Sequence, residues 1–569
     1  MLRTILALGL SAAAVCCLAT PCWSQEKPVV IYTRDNAPAA PKLDELPLKS
    51  SVSHYGITWT FEKPAHVGRF VNGDYYIVGP ITITQLDPKT LVGDEVPESE
   101  KDKTQEQGVK KEDFVRNGSM LNPPAIKEVA YDSGIMNYFR RNRLSLPPIR
   151  MKPGDSLVST ISLKHGEDVP SPFYGPHDKS RRGEGGFDFP LKVAAILTCV
   201  EKPLPPDAFR PAYCDRSAKI YYSRDLRRDA LPRLPLLGDR KDTRDPLEDA
   251  VYFQKPWVNT GFFGFDAPWL NMHWYGANLA GYAGGAGLKL CLDFPADHKE
   301  PLLINMTQIG IDYWGAVKSG HPGWMGFGGH GHARKFLIVF AGFMLDDEDM
   351  MSPSRKFPAT EFSEDNQTRY GACWTGATVV FAGHYGISSA TGKPYSNKGA
   401  EGGYGPYEHL PPSQWTVNEQ DAKYFGLPVG ENYRRNCTSN AWVSEALVLR
   451  ILKLEKQWDH DPFFDYVDRW MYEPDTLEHR KEIVRCFPQA SALLDDVKGD
   501  ISIQGNVHWC GAWVKPYWDK YRTMEGMPPT DGWKRRDRPR DRAEWWVPLE
   551  IEKASRSAAA DADSPKGLR

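Results

Sequence analysis

The stretch from Lys299 to Leu345 decides how the chain is read: KEPLLINMTQIGIDYWGAVK (299–318), SGHPGWM (319–325), GFGGHGHARK (326–335) and FLIVFAGFML (336–345). In its first part Leu302, Leu303, Met306, Ile309, Ile311, Tyr313 and Val317 fall largely on one face at helical spacing. That spacing predicts an amphipathic helix. The last part is apolar all round and bounded by Arg334-Lys335 and Asp346-Asp347. It is about half the length a bilayer requires, so it predicts a buried core element and no transmembrane span.

Working outward, Asn271 to Phe294 is a further candidate helix, weakened by Gly281, Gly284, Gly285 and Gly287. Asn440 to Lys456 and Phe463 to Met471 are amphipathic, and Glu478 to Leu494 adds another segment. Loops rich in glycine, histidine and aromatics separate these helices. Helices packed in pairs with such loops at one end predict an α/α toroid, a helical barrel, over residues 203–537; an irregular α bundle is the alternative.

Upstream the period changes from helical to alternating. Gly56 to Phe61, Arg69 to Gly79 with the turn Asn72-Gly73-Asp74, Ile81 to Thr84, Ser156 to Ser162 and Lys192 to Val200 read as strands. They predict a β-rich domain, sandwich-like, over residues 50–202, after a Pro-rich extended lead-in at 25–49. From 538 to 569 charges dominate and the chain reads as a partly disordered tail. The fold class expected is therefore α+β and multidomain, a β-sandwich-like domain followed by a toroid.

Arg3, the apolar run Ile5 to Leu18 and the small residues Cys22 and Ser24 have the order of a signal peptide over residues 1–24, which predicts a secreted or periplasmic protein. The 70 basic and 73 acidic residues nearly cancel, and the clusters Arg181-Arg182, Arg227-Arg228 and Lys534-Arg535-Arg536 are scattered among acids, so no nucleic-acid partner is expected. Seven cysteines follow the leader; Cys199 and Cys214 are the expected disulfide pair.

The densest constellation is Gly326 to Lys335. Glycines let a ligand approach the backbone, His330 and His332 exchange protons near neutral pH, and Arg334 matches a carboxylate or sulfate. The plainer alternative is a helix start whose imidazoles cap backbone groups. A divalent ion on His330 and His332, completed by His273, His321 or His384, competes with both readings; no H-E-x-x-H is present, and no cofactor is expected. Aromatic and polar groups recur through the same half: Asn271, His273, Tyr275, Tyr313, Trp314, Trp324, His384, Tyr385, Tyr404, Tyr407, Arg434 and Trp509. Aromatic rings offer flat apolar faces for sugar rings.

Two chemistries suit these groups. A polysaccharide lyase acting on a uronate needs a neutral base, a donor that neutralises the carboxylate and an acid for the leaving oxygen. His330, His332, Tyr313, Arg334 and Asn271 are the candidates, with Lys335, His273, Tyr275, Trp314, Trp324, His384, Tyr385, Tyr404, Tyr407, Arg434 and Trp509 as substrate contacts. A glycoside hydrolase needs a carboxylate pair, for which Asp266, Asp312, Glu401 and Glu408 are the candidates. A non-catalytic glycan-binding or envelope protein is the third alternative.

At GITWTF (56–61), NGDYYIVGP (72–80), GGHGHARK (328–335) and WDHDPFFDYVDRWM (458–471) the chain resembles a family of uncharacterised exported bacterial proteins, which implies neither an activity nor a catalytic residue. The helical half more loosely resembles α/α-toroid polysaccharide lyases and glycoside hydrolases. In this chain the β domain comes first, an order more at home among toroid hydrolases. The reading that results is an enzyme acting on a polysaccharide or oligosaccharide, foremost a lyase of an acidic glycan.

Overall fold

The computed structural model describes residues 29–551 except 101–109, 128, 135–138, 165–166, 168, 170–190, 239–242, 259–266, 274, 396–403, 416–425, 496–502 and 508–512. The expected leader, Asp266, Glu401, Trp509 and Cys510 lie outside the described residues.

The alternating N-terminal segments form one eight-stranded sheet. Its strands are β1 (Leu48–His54), β2 (Ile57–Arg69), β3 (Tyr75–Val78), β4 (Ile81–Asp87), β7 (Ser119–Leu121), β8 (Ile149–Met151), β9 (Ser156–Ser162) and β10 (Leu191–Val200). A two-stranded ribbon, β5 (Leu91–Val92) with β6 (Val115–Arg116), lies between β4 and β7 in the chain. The order is β7-β9-β10-β3-β2-β4-β8, with β1 added on β2, and only β10–β3 is parallel.

The 13-residue β2 is the axis of this sheet. Its first half pairs with β4 and its last three residues with β3, so the sheet turns over along one strand. Trp59 on β2, fully buried, meets β9 across the interior and donates its indole N–H to Ser159 Oγ at 3.1 Å. The sheet is thereby nearly barrel-shaped, with Ile57, Phe61, Val67, Ile77, Ile83 and Leu157 inside. Alternation along β10 sends Ala195, Leu197 and Cys199 into this interior and Ala194 and Ile196 into the core shared with the helices. A strand buried on both faces reads as a continuous apolar run, as Lys192 to Val200 does.

The helices that matter for the site are α1 (Pro246–Gln254), α2 (Gly276–Leu290), α3 (Ala296–Lys318), α4 (Arg334–Leu345), α5 (Ser363–Gln367), α6 (Val443–Ile451), α7 (Asp461–Tyr472), α8 (Leu477–Cys486) and α9 (Val514–Tyr521). Asp245 caps α1 by accepting the Leu247 N–H, with Pro246 in the first turn. α3 packs against α1 and α4, α2 against α6, and α6 against α7 and α9. No helix among the described residues is long and apolar enough to cross a membrane.

The glycines of α2 have a different role from the weakening the sequence implies. A Cβ on Gly284 would lie 2.6 Å from the Glu445 backbone nitrogen, and one on Gly310 of α3 2.4 Å from the Leu337 carbonyl oxygen. These glycines are the points where helices touch, and the lost side chain is what permits the approach. The Cys199–Cys214 disulfide is not formed: both are free, buried thiols.

Sheet and helices are tied by one buried cation. Arg210 donates Nε to Asp74 Oδ2 at 2.6 Å and grips Asp312 of α3 with Nη1 and Nη2 at 2.9 and 2.6 Å. Gln308, one turn earlier on α3, brackets the Arg210 backbone N–H and C=O, both at 3.0 Å. Burial pushes the Asp312 carboxyl up to about 6, against the pull of Arg210. Burial also opposes the charge on Asp74, but hydrogen bonding to His54 and the nearby guanidinium outweigh it and hold Asp74 below the usual carboxylate range.

Replacing Arg210 with leucine leaves two buried carboxylates without a counter-charge, and we expect a loss of about 3–5 kcal/mol. Urea unfolding of the Arg210→Leu variant measures this; a midpoint equal to that of the parent would show that the tie carries no stability.

Candidate functional site

The glycine-histidine loop sits between a short parallel pair, β11 (Gly323–Trp324) on β12 (Glu361–Phe362), and the start of α4. Phe327, Gly328 and Gly329 are consecutively left-handed, with φ of 44°, 63° and 91°, and Ala333 at the head of α4 has φ 77°. For Phe327 and Ala333 that conformation is costly and is held by surrounding contacts. The Gly328 N–H donates to the His384 carbonyl at 2.8 Å, and the Tyr275 hydroxyl donates to the Gly328 carbonyl. Tyr385 N–H in turn donates to the Tyr404 carbonyl at 2.9 Å.

Side chains from five distant segments meet on this one face. His330 stands edge-on to Tyr275 at 4.8 Å, His384 lies 4.2 Å from Tyr433 and 5.5 Å from Tyr404, and Tyr385 stacks on Tyr404 at 5.2 Å and lies tilted against Phe327 at 4.8 Å. His330, Phe327, Tyr385, Tyr404 and Tyr433 are half-buried, whereas His384 and Tyr275 are buried floor residues. Burial, with His330 close by, lowers the His384 imidazole to about 3. Burial and the neighbouring Tyr404 raise the Tyr385 phenol. The face thus presents a neutral imidazole and protonated phenols at neutral pH.

Immediately behind the loop lies His332, fully buried. Trp442 Nε1 donates to His332 Nδ1 at 2.9 Å and Ser363 Oγ lies 2.7 Å from the same atom. An indole N–H only donates, so Nδ1 is the acceptor and the neutral ring carries its proton on Nε2. That Nε2 has no hydrogen-bond partner. Burial lowers the His332 pKa, which keeps this tautomer neutral. Glu364 of α5 accepts the Ala333 N–H at 2.8 Å through Oε1, while its Oε2 is unpartnered. Glu445 of α6 is fully buried with neither carboxyl oxygen partnered; burial, then the charge of Glu364, raise its pKa well above the usual range, so it holds its proton.

Arg334 is also buried. Its Nη1 donates to the His330 and His332 carbonyls at 2.9 and 2.7 Å, leaving Nε and Nη2 unpartnered. Lys335 is paired with Asp365 and lies 4.4 Å over the Trp458 ring. Of the other sequence candidates, Tyr313 packs edge-on to Trp324 at 5.3 Å in the core under Arg334, and Trp324 stacks on His321 at 4.5 Å. Asn271 donates to the Lys255 carbonyl at 3.0 Å, His273 stands against Tyr282 at 5.2 Å, and Trp314 packs on Phe357 at 5.4 Å. Tyr407 and Arg434 meet at Glu431, to which they donate at 2.7 and 2.8 Å.

The structure therefore unites Tyr275, His330, His384, Tyr385 and Tyr404, places His332 and Arg334 directly beneath them, and disperses Asn271, His273 and Trp314. Among the hydrolase candidates, Asp312 is bound to Arg210, and Glu408 receives both Nη atoms of Arg469 at 2.7 and 3.0 Å. Sequence reasoning missed Ser363, Glu364, Trp442 and Glu445. The available signals were the uninterrupted polar run SEDNQ (363–367) and the single acid in VSEALVLRI (443–451), a run apolar apart from Ser444, Glu445 and Arg450. Among the described residues no group of three or more histidine, cysteine or acidic side chains is arranged to hold a metal ion. Compared with known family models, curated proteins and solved structures, the chain finds no match.

Glu445 makes the site pH-sensitive. Its carboxyl ionises near 4.5 when unfolded and well above that when buried. The stability it contributes is fully present below the unfolded value and is lost as pH rises toward the folded one. Glutamine cannot ionise, so Glu445→Gln is expected to exceed the parent by about 1–3 kcal/mol at mildly alkaline pH and to match it at acidic pH. Denaturant titrations across pH test this, and parallel stability curves for the two proteins would refute it.

Proposed function

We propose that the protein is an exported carbohydrate-active enzyme, a polysaccharide lyase that cleaves a uronate-containing glycan by β-elimination on the histidine–aromatic face. The observation that carries this reading is the meeting of His330, His384, Tyr385, Tyr404 and Tyr433 on one half-buried surface, with a neutral imidazole and protonated phenols. The leader-like segment before Gln25 supports export.

In this reading Tyr404, Tyr433 and Phe327 take the apolar faces of successive sugar rings. His330, the half-buried imidazole, accepts the proton α to the uronate carboxylate. The electrons of that C–H bond form the new carbon–carbon double bond as the bond to the glycosidic oxygen breaks. Tyr385, whose raised pKa keeps its proton in place, delivers it to the leaving oxygen. The imidazolium and the phenolate then exchange protons with water, which restores the starting state. His384, neutral even in mild acid, donates a hydrogen bond to the substrate carboxylate, and the unpartnered edge of Arg334 supplies positive potential from below.

A carboxylate mechanism is less well supported, because Asp312 and Glu408 each spend both oxygens on a buried guanidinium. Incubation with alginate, pectate and glycosaminoglycans decides between the readings, since only elimination creates a conjugated, ultraviolet-absorbing product. His330→Ala and Tyr385→Phe should each slow that signal by roughly 10²–10⁴-fold with the fold intact. Reducing ends without absorbance would refute the lyase assignment, and binding without any product would refute catalysis altogether.

A further inference from the structure

A cleft of about 1040 Å³ lies between α7 and residues 528–545, and none of its lining residues belongs to the histidine–aromatic face. Cationic and acidic side chains line it in equal number, five of each. Asp461, at the first turn of α7, is exposed and makes no hydrogen bond or ion pair with any described residue. One turn on, Asp465 accepts the Tyr370 hydroxyl at 2.9 Å and Arg538 Nη2 at 2.7 Å. Arg450, from α6, reaches the same cleft: it is 4% exposed and donates Nη2 to Asp468 at 2.7 Å, while its buried Nε is unpartnered. The rim is stiffened by guanidinium–ring stacks, Arg538 on Tyr370 at 4.1 Å and Arg542 on Trp545 at 4.4 Å.

We propose that this cleft is a binding site for a neutral, polyhydroxylated chain, a run of sugar residues without charged groups. A sugar hydroxyl both donates and accepts, so neighbouring hydroxyls are matched by a carboxylate beside a guanidinium. Asp461 is a free acceptor here, and the buried Nε of Arg450 in the same lining has no partner of its own. A polyanion gains nothing from a lining of zero net charge and meets the unpaired carboxylate of Asp461 directly. A purely apolar ligand would leave those charges desolvated and unpaired. The site is separate from the histidine–aromatic face, and it stands whether or not that face carries out elimination. For a glycan that alternates neutral and acidic stretches, it would hold the neutral stretch while the acidic one is processed elsewhere.

The test is titration of the purified protein with cellohexaose, xylohexaose and mannohexaose, with an oligouronate of equal length as control, followed by calorimetry and tryptophan fluorescence. At least one neutral oligosaccharide should bind saturably. Asp461→Ala should weaken it about tenfold or more, the usual consequence of losing a hydrogen bond to a charged group, and leave the unfolding midpoint unchanged. Trp545→Ala should remove the fluorescence response. Absence of saturable binding by all three neutral chains, unaltered affinity in Asp461→Ala, or tighter binding of the oligouronate at this cleft would each overturn the proposal. None of these outcomes depends on the cleavage assay.

Discussion

Arg210 is the contact on which the rest of the structure depends. Taking three charged groups out of water is expensive, and the interaction repays it only with near-ideal geometry. Arg210 meets that demand with one bond to Asp74 and a two-pronged grip on Asp312, and its backbone is pinned by Gln308. Asp74 belongs to the β2–β3 turn, and Asp312 and Gln308 to the middle of α3. The same helix meets α4 at Gly310, and α4 begins at Arg334, directly after the histidine loop. The position of the histidine loop relative to the sheet is therefore set through a chain of rigid contacts that starts at one guanidinium.

A second buried charge network explains why the candidate face is governed by neutral groups. Arg434 and Arg435 are tied to Glu431, and Arg469 to Glu408 and Glu473. Arg434 and Arg435, next to Tyr433, are thus turned inward and satisfied, although in sequence Arg434 looks like a substrate contact. Glu431 and Glu473 are both held near 2, against burial, by these arginines, so the network stays charged through the physiological range. What is left for the face is imidazoles and phenols, and burial sets the protonation of His384 and Tyr385 among them.

The elements with a clear period were legible in the sequence. The strand at 156–162 has the expected bounds and the helix expected from Lys299 to Lys318 runs from Ala296 to Lys318, because the one alternates and the other keeps one face apolar over several turns. The curling of the sheet was not legible. It depends on β2 running through 13 residues and changing neighbours midway, a long-range pairing that no local pattern encodes. The site was half legible for a related reason. His330, His384 and Tyr385 stand out as residue types in glycine-rich surroundings, but Glu445 is one acid in an apolar helix, and only the tertiary structure shows that its oxygens meet no partner. Asp312 misled in the opposite direction: an acid beside two aromatics resembles a catalytic group, and its bond to Arg210, about a hundred residues earlier, is invisible locally.

Among the described residues, the polar atoms beneath the loop form a dense group without hydrogen-bond partners. His332 Nε2, Arg334 Nε and Nη2, Glu364 Oε2 and both oxygens of Glu445 are buried without partners, and each such group costs on the order of 1–3 kcal/mol. The left-handed backbone of Phe327 and Ala333 adds to that cost in the same ten residues. Elsewhere the chain satisfies comparable groups with care, as the four hydrogen bonds received by Glu361 show. The chain therefore has the means to satisfy polar groups of this kind, and beneath the loop it has not used them. Strain and unmet hydrogen bonding meet directly under a surface where, among the described residues, histidines and tyrosines converge, and where a structural role alone would be better served by apolar side chains of the same size.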